Sequence, residues 1–381
     1  MKKIVILGST GSVGINALKI IKAYKNDYEV IGLTANKNID LLAKQVNLFK
    51  PRLVAINDTS NYKPLKEKLK SNYKILKGIE GVSEVASMRE ADIVLVAISG
   101  TIAILPLIAA IKCGKRIALA NKEAIVSAGG IITDLARSKN SEIIPVDSEH
   151  SSIFQCIKDE DKEKIKKIFL LGSGGPLKNV SKNLFDKLKP SVVLKHPVWK
   201  MGQKISVDSA TMMNKGLEVI EASYLFGIDV SKIEVLIHRE AYMHSMVEFV
   251  DGNFMANLFY PDMRMPIFYA FNYPKRKPFN MKKLDFSKIK AFSFQSPDKH
   301  KFPALDLCYK TVKKQGTYPA CLNGANEEAD SSYLEGKINF PGIIDTVQKV
   351  ISKHKSVRHP SVDEILYTDK WAKEEVRRIT G

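Results

Sequence analysis

Two carboxylates, Asp147 and Glu149, close an apolar run in the stretch EIIPVDSEHSSIF, residues 142–154. Anions one residue apart repel unless a cation, a shared proton or a basic side chain lies between them. Read as the end of a β-strand, the segment alternates its side chains between two faces and points both acids the same way. A third acid comes from SVDSATMMNKGLEVIEA, residues 206–222. With Asp208 or Ser209 as the cap of a helix, Asn214 and Glu218 share one face at i, i+4. Glu221 competes for the same role, and the pairing with Asn214 favours Glu218. Three carboxylates without Cys or His at ligand spacing are the donor set of a hard cation, Mg²⁺ or Mn²⁺, that keeps positions for substrate oxygens.

Anion-binding residues lie close by. LGSGGPL, residues 171–177, reads as a strand entering a Ser-Gly-Gly-Pro turn whose N–H groups and Ser173 hydroxyl suit an anion. Ser209, read at a helix N-terminus, with Asn214 and Lys215 one turn further in, makes a second half of a phosphate cradle. Between them, KHPVWKMGQK (195–204) sets His196, Trp199 and Met201 between Pro197 and Gly202. That composition suits either a mobile flap or a half-buried structural loop.

The elements that must position these groups begin at the N-terminus. Residues 3–8 read as a buried strand, followed by GSTGSVG (8–14) and an apolar-periodic helix over 15–24. A tight glycine turn between strand and helix brings backbone N–H groups against a pyrophosphate. Further strands are predicted at 28–34, 52–56, 92–98 and 115–120, separated by helical segments, so the first third reads as βαβ units on a parallel sheet. The second strand runs into Ala35-Asn36-Lys37-Asn38 and carries no acid at its tip for a ribose 2′-hydroxyl. Lys37 between Asn36 and Asn38 suits a 2′-phosphate, so NADPH is the expected cofactor, and Asp40 is expected to be a solvent-facing helix-start residue. Two later loops, Ala97–Thr101 and Ala120–Glu123, follow strands on the same edge. Lys122 and Glu123 form either a surface salt bridge or part of a cleft.

The 381 residues carry a formal net charge of +18, with 45% hydrophobic and 26% charged residues. Lysines are spread along the chain, as in 158–167, read as a helical face, and no basic patch interleaved with aromatics marks a nucleic-acid site. No run of 18 apolar residues occurs, so neither a membrane span nor a signal peptide is expected. The four cysteines lack metal or disulfide spacing, which fits a reducing, cytoplasmic compartment. Two rival readings are a semialdehyde dehydrogenase-like NADP oxidoreductase, which needs a reactive cysteine such as Cys156, and a basic nucleotide-sensing nucleic-acid-binding protein.

The chain resembles the 1-deoxy-D-xylulose 5-phosphate reductoisomerase family in LGSTGSVG, ANKE, PVDSEHSS, GSGGP, HPVWKMGQKISVDSATMMNKGLEVIEA, HSMVEFVDG, PDMRMPI and CLNGANEEA, in order across nearly its whole length. The resemblance implies an α/β fold in three parts. These are an N-terminal Rossmann-like NADPH domain (1–147), a central α/β catalytic domain with metal site and flap (148–272), and, past a connector (273–297), a C-terminal helical domain (298–381). It implies a homodimer and a sugar-phosphate substrate, 1-deoxy-D-xylulose 5-phosphate, rearranged and reduced to 2-C-methyl-D-erythritol 4-phosphate for isoprenoid synthesis. By the same resemblance Asp147, Glu149 and Glu218 are metal ligands, and Lys122, Glu149 and His196 carry the chemistry. Ser148, Ser173, His196, Trp199, Met201, Ser209, Asn214, Lys215 and Glu218 meet the substrate. Gly8, Ser9, Thr10, Gly11, Ser12, Val13, Asn36, Lys37, Asn38, Asn121, Glu123 and Gly202 meet NADPH. Three positions depart from the family pattern: Asn36 for glycine, Arg239-Glu240 for Pro-Gln, and Leu177 where an aromatic is common.

Overall fold

The computed structural model describes residues 1–69, 73–158, 160–195, 198–199 and 202–381. The chain divides into two compact units, one of residues 1–124, 130–151 and 262–281, the other of 125–129, 152–261 and 282–381.

In the first unit seven strands form one parallel sheet: β1 (Lys2–Leu7), β2 (Tyr28–Ala35), β3 (Leu53–Ile56), β4 (Lys74–Lys77), β5 (Ile93–Val96), β6 (Arg116–Leu119) and β7 (Ile143–Pro145). Their order is β4-β3-β2-β1-β5-β6-β7. The central strands are continuous aliphatic runs, as a sheet covered by helices on both faces requires. Ile4, Val5, Ile6 and Leu7 are all fully buried, and each such side chain contributes about 1.5–3 kcal/mol on burial. The winding reverses between β1 and β5, and ligands of such sheets bind beyond the carboxyl ends of the strands at that point. Asp40 is exposed in the first turn of the helix Ile39–Phe49, paired with Lys68 at 2.9 Å. The helix Arg264–Asn272 also belongs here: Lys2 Nζ donates to the Phe271 carbonyl at 2.6 Å, and the Tyr24 and Phe268 rings lie 5.1 Å apart.

The strand expected to carry Asp147 and Glu149 ends sooner. β7 stops at Pro145, and the helix Ser148–Cys156 begins within three residues. Asp147 is a preferred capping residue. The Glu149 N–H reaches its Oδ1 at 3.3 Å and the Ser151 N–H its carbonyl at 2.8 Å, so the chain turns there. Strand alternation therefore does not align the two acids; a helix start does.

The second unit holds β8 (Ile165–Gly172), β9 (Ile233–Ile237), β10 (Met243–Phe249) and β11 (Phe254–Leu258), in the order β11-β10-β8-β9. β8 and β9 are parallel, and β10 runs antiparallel to both β8 and β11. The helical face read over 158–167 is instead a short 3-10 turn, Lys162–Lys164, and the start of β8. Its apolar residues Ile165, Ile168 and Leu170 are buried in the sheet core, which outweighs the helix propensity of the lysines. Helices Ala304–Lys314, Tyr318–Leu334, Phe340–Lys353 and Val362–Thr380 make the C-terminal part helical, and Leu177 is buried in the common core. At the Arg239-Glu240 departure, Glu240 accepts a hydrogen bond from Ser293 Oγ at 2.8 Å and lies 3.0 Å from His238 Nδ1.

A second correction concerns the helix cap near residue 208. Asp208 and Ser209 sit inside the helix Gln203–Thr211, and the break falls at Met212, which has φ 63°. The helix Met213–Phe226 then starts with the Met213 N–H donating to Thr211 Oγ1 at 3.2 Å. Ser209 thus belongs to the closing turn of one helix, not the opening turn of the next.

Candidate active site

Beyond β1, Gly8 adopts φ 85°, and a Cβ there would lie 2.4 Å from the Ala97 carbonyl oxygen. A Cβ on Gly14 would lie 2.4 Å from the Gly8 carbonyl oxygen. Only glycine permits this packing of strand, turn and helix start. The helix Ser12–Ala23 has Gly11 at its cap and, among the described residues, no side-chain cap hydrogen bond. Its N-terminus thus presents donors and a positive dipole end, which fits a pyrophosphate. Ser9 is turned away from this edge, its buried hydroxyl donating to Gln45 Oε1 at 2.6 Å and its N–H to the Thr34 carbonyl at 2.8 Å. Its contribution is to hold the turn. After β2, Asn36, Lys37 and Asn38 are exposed, and the Asn38 side chain caps the next helix by accepting from the Leu41 N–H at 3.1 Å.

Asn121 joins two loops of the same sheet edge. Its buried amide nitrogen donates to the carbonyls of Ile98 (2.7 Å) and Gly100 (3.1 Å) and to Glu123 Oε2 (2.9 Å), while its oxygen caps the Ala124 N–H at 2.8 Å. This staple sets Lys122 at the first helical position. The Lys122 Nζ lies 3.0 Å from Asp147 Oδ2, so this lysine reaches the acidic segment that follows β7.

Carboxylate oxygens of Asp147 and Glu149 come within 4.8 Å of each other. Glu149 Oε2 accepts from the Ser148 hydroxyl at 2.7 Å, and His150 Nδ1 is 3.6 Å from Asp147 Oδ1. Burial pushes the Asp147 carboxyl up, but Lys122 and then His150 outweigh it and hold the group well below the usual carboxylate range. Two anionic oxygen donors at this spacing suit a hard divalent cation. His150 stands in the stretch that opened the sequence reading yet had no role there; its contact with Asp147 needs the helical turn, not the strand.

In the second unit Glu218 is buried on the helix Met213–Phe226, held by Asn214 Nδ2 and Lys215 Nζ, both at 2.5 Å. Lys215 Nζ also donates to the Leu171 carbonyl at the end of β8, at 2.9 Å. The Ser-Gly-Gly-Pro turn follows, with Gly174 and Gly175 at φ 87° and 65°. A Cβ on Gly175 would lie 2.6 Å from the Ser209 carbonyl oxygen, so this turn is seated directly on Ser209. Ser173, Ser209, Asn214 and Lys215 thereby border one edge, with hydroxyl, amide and ammonium groups that match a phosphate. Trp199 is half-buried with its ring 6.3 Å from that of His244, which stacks on Phe259 at 3.9 Å. His196 and Met201, the other expected flap contacts, lie outside the described residues. Gly202 caps the helix Gln203–Thr211.

Family models described as 1-deoxy-D-xylulose 5-phosphate reductoisomerase, its C-terminal domain and DXP reductoisomerase C-terminal domain match residues 4–129, 143–226 and 258–375. The chain belongs to the 1-deoxy-D-xylulose 5-phosphate reductoisomerase family. A family member from Bacillus cereus is 45% identical over 374 residues, covering 98% of this chain and 97% of that protein. One from a Thermoanaerobacter species is 44% identical over 379 residues, covering 99% of each. Among solved reductoisomerases, the Zymomonas mobilis enzyme in complex with NADPH superposes with a TM-score of 0.93 at 38% identity, over 100% of this chain and 99% of that one. Another, in complex with NADPH, fosmidomycin and magnesium, gives 0.94 at 35% identity, over 100% and 98%. The dehydrogenase alternative lacks its nucleophile. Cys156 is buried, which pushes its thiol up to about 11 and leaves almost no thiolate near neutral pH.

Proposed function

We infer that this chain is an NADPH- and divalent-metal-dependent reductoisomerase that converts 1-deoxy-D-xylulose 5-phosphate to 2-C-methyl-D-erythritol 4-phosphate. The observation that carries this is the Lys122–Asp147–Glu149 group at the end of β7, in a chain matched by the family's models over residues 4–129, 143–226 and 258–375. The direct test is NADPH oxidation with 1-deoxy-D-xylulose 5-phosphate, with and without Mg²⁺. Oxidation that needs both sugar phosphate and metal is the expected result.

Each group has a part that its chemistry suits. Asp147, Glu149 and Glu218 would hold the cation, which supplies Lewis-acid stabilisation of charge on the sugar's oxygens. Gly8, Thr10, Gly11, Ser12 and Val13 would line the NADPH pyrophosphate, with Lys37 and its two asparagines on the 2′-phosphate; the cofactor supplies the hydride. Asn121 and Glu123 border the same cofactor from the next loop, and Gly202 from the flap side. Ser173, Ser209, Asn214 and Lys215 grip the substrate phosphate, and this remote binding energy serves to orient the reacting carbons. Ser148 and Lys122 face the substrate's oxygens, where the Lys122 ammonium balances negative charge while the C3–C4 bond breaks and the skeleton recombines as a branched aldehyde. His196, Trp199 and Met201 cover the substrate and keep water from the reactive fragments.

The exposed edge of the second sheet supports a homodimer. β11 is an edge strand, and Phe254 and Met255 on it are 57% and 48% exposed, beside exposed Val250. An apolar edge of this kind is stable in solution when another strand or surface covers it. Sedimentation should give twice the chain mass, and Phe254→Lys should shift the equilibrium towards the monomer.

A further inference from the structure

The stretch CLNGANEEADSSY lies in the helix Tyr318–Leu334, and the reaction makes no use of it. Its Asn326 and Asp330 are 0% and 1% exposed. Facing them is Asp208 of the helix Gln203–Thr211, 2% exposed. Asn326 Nδ2 donates to Asp208 Oδ1 at 2.6 Å and to Asp330 Oδ2 at 3.3 Å, so one amide bridges two carboxyl groups. Lys204 Nζ, 3.0 Å from Asp208 Oδ2, gives Asp208 a cation. Asp330 Oδ1 is buried and meets no donor among the described residues. Two ionised carboxylates cannot sit side by side in a dry interior without strong repulsion, and one shared proton removes both the repulsion and the missing donor.

We propose that Asp208 and Asp330 share a proton, with Asp330 as the acid, and that this pair is a positioning device that fixes the last turn of the helix Gln203–Thr211, and with it Ser209. Ser209 follows Asp208 directly, and the turn carrying Ser173 seats on the Ser209 carbonyl. The functional half of the proposal rests on the reading above that Ser209 grips the substrate phosphate; the shared proton does not. Burial, then the charge of Asp208, push the Asp330 carboxyl well above its usual range against the pull of Lys204. The other groups around the pair are Glu327 on the same helix, Lys373 and Asp369 of the helix Val362–Thr380, and the Cys308 thiol of the helix Ala304–Lys314. Lys373 neutralises its neighbours, 2.9 Å from Glu327 and 2.8 Å from Asp369. Burial and then Asp208 raise Cys308, which stays a neutral thiol. That leaves Asp330 as the group that titrates against Asp208.

The test uses the full-length enzyme. Asp330→Asn keeps a donor towards Asp208 and removes the titration, so kcat and KM should stay within about twofold of the parent at neutral pH. A carboxyl whose pKa is raised by folding loses stability as pH rises from its unfolded value near 4 towards the folded one. The melting temperature of Asp330→Asn should therefore gain steadily on the parent from about pH 5 to about pH 8. Asp330→Ala, which removes the tie, should raise KM for 1-deoxy-D-xylulose 5-phosphate about tenfold, with kcat within about threefold and NADPH affinity unchanged. The parent should also show the infrared carbonyl band of a protonated carboxylic acid at neutral pH, lost in Asp330→Asn. Absence of that band in the parent, or a melting difference that does not change with pH, overturns the shared proton. Unchanged KM in Asp330→Ala, where Ser209→Ala raises it, overturns the positioning role. If Ser209→Ala leaves KM unchanged, the phosphate reading has failed instead, and the infrared and melting results still decide the proton.

Discussion

The Lys122 ammonium lies 3.0 Å from the Asp147 carboxylate, where β7 gives way to the helix Ser148–Cys156. An intramolecular cation thus offsets the charge of one of the two acids. A metal ion that joins Asp147 and Glu149 must share Asp147 with this lysine. Lys122→Met should therefore bind Mg²⁺ more tightly, by titration calorimetry, while turning over at least about tenfold more slowly. Weaker metal binding in the variant would contradict the shared role of Asp147.

Removal of either acid should act on the metal and leave the cofactor alone. Asp147→Asn and Glu149→Gln should each lower kcat/KM by about 100-fold or more at moderate Mg²⁺. NADPH affinity, read by quenching or calorimetry, should stay within about twofold, because the site proposed for the cofactor's phosphates is the β1 turn and not these acids. Full activity in either variant would end the metal assignment.

Lys37 should set cofactor choice. It is exposed beyond β2, in a loop with no carboxylate for a ribose hydroxyl. Lys37→Ala should cut the preference for NADPH over NADH by about 1.5–3 kcal/mol, the worth of a charged hydrogen bond to the 2′-phosphate. Steady-state comparison of the two cofactors measures it. Equal use of both by the parent would contradict the reading.

Cysteine chemistry should be irrelevant to turnover. Cys156, Cys308 and Cys321 are buried and Cys113 is exposed. Burial, with a smaller push from Asp369, raises Cys321 to about 12, and burial raises Cys156 to about 11, so both remain protonated thiols below those values. Iodoacetamide near neutral pH should label Cys113 alone by mass spectrometry, with activity retained. Loss of activity in step with labelling would revive the dehydrogenase alternative.

Trp199 offers an optical report on the proposed substrate contact at this segment. It packs near His244, and Trp371 stands near His354 with ring centroids 5.4 Å apart. In a Trp371→Phe background, sugar phosphate or a phosphonate with a chelating head should change Trp199 emission and protect the loop from proteolysis. Trp199→Ala should impair turnover more than NADPH binding. No change in emission or cleavage would mean that the segment is a fixed structural element.

Local pattern alone determined much of this protein. The aliphatic strand, Gly8 and Gly14 and the following helix are a short-range signal, because a tight turn needs a residue without Cβ at particular places. The acid-free end of β2 and the adjacency of Asp147 and Glu149 are likewise written within a few residues, and so is the i, i+4 pairing of Asn214 with Glu218. The tertiary structure decided what local preference leaves open. It moved the helix break to Met212, whose left-handed backbone local preference disfavours and packing imposes. It turned Asp147 from a strand residue into a helix cap, drew residues 262–281 back to the first unit, and paired Lys122 with Asp147. It also placed Asn326 against Asp208, 118 positions away. Contacts at that separation arise from the burial of whole helix faces, and no periodicity within one segment records which distant face it will meet.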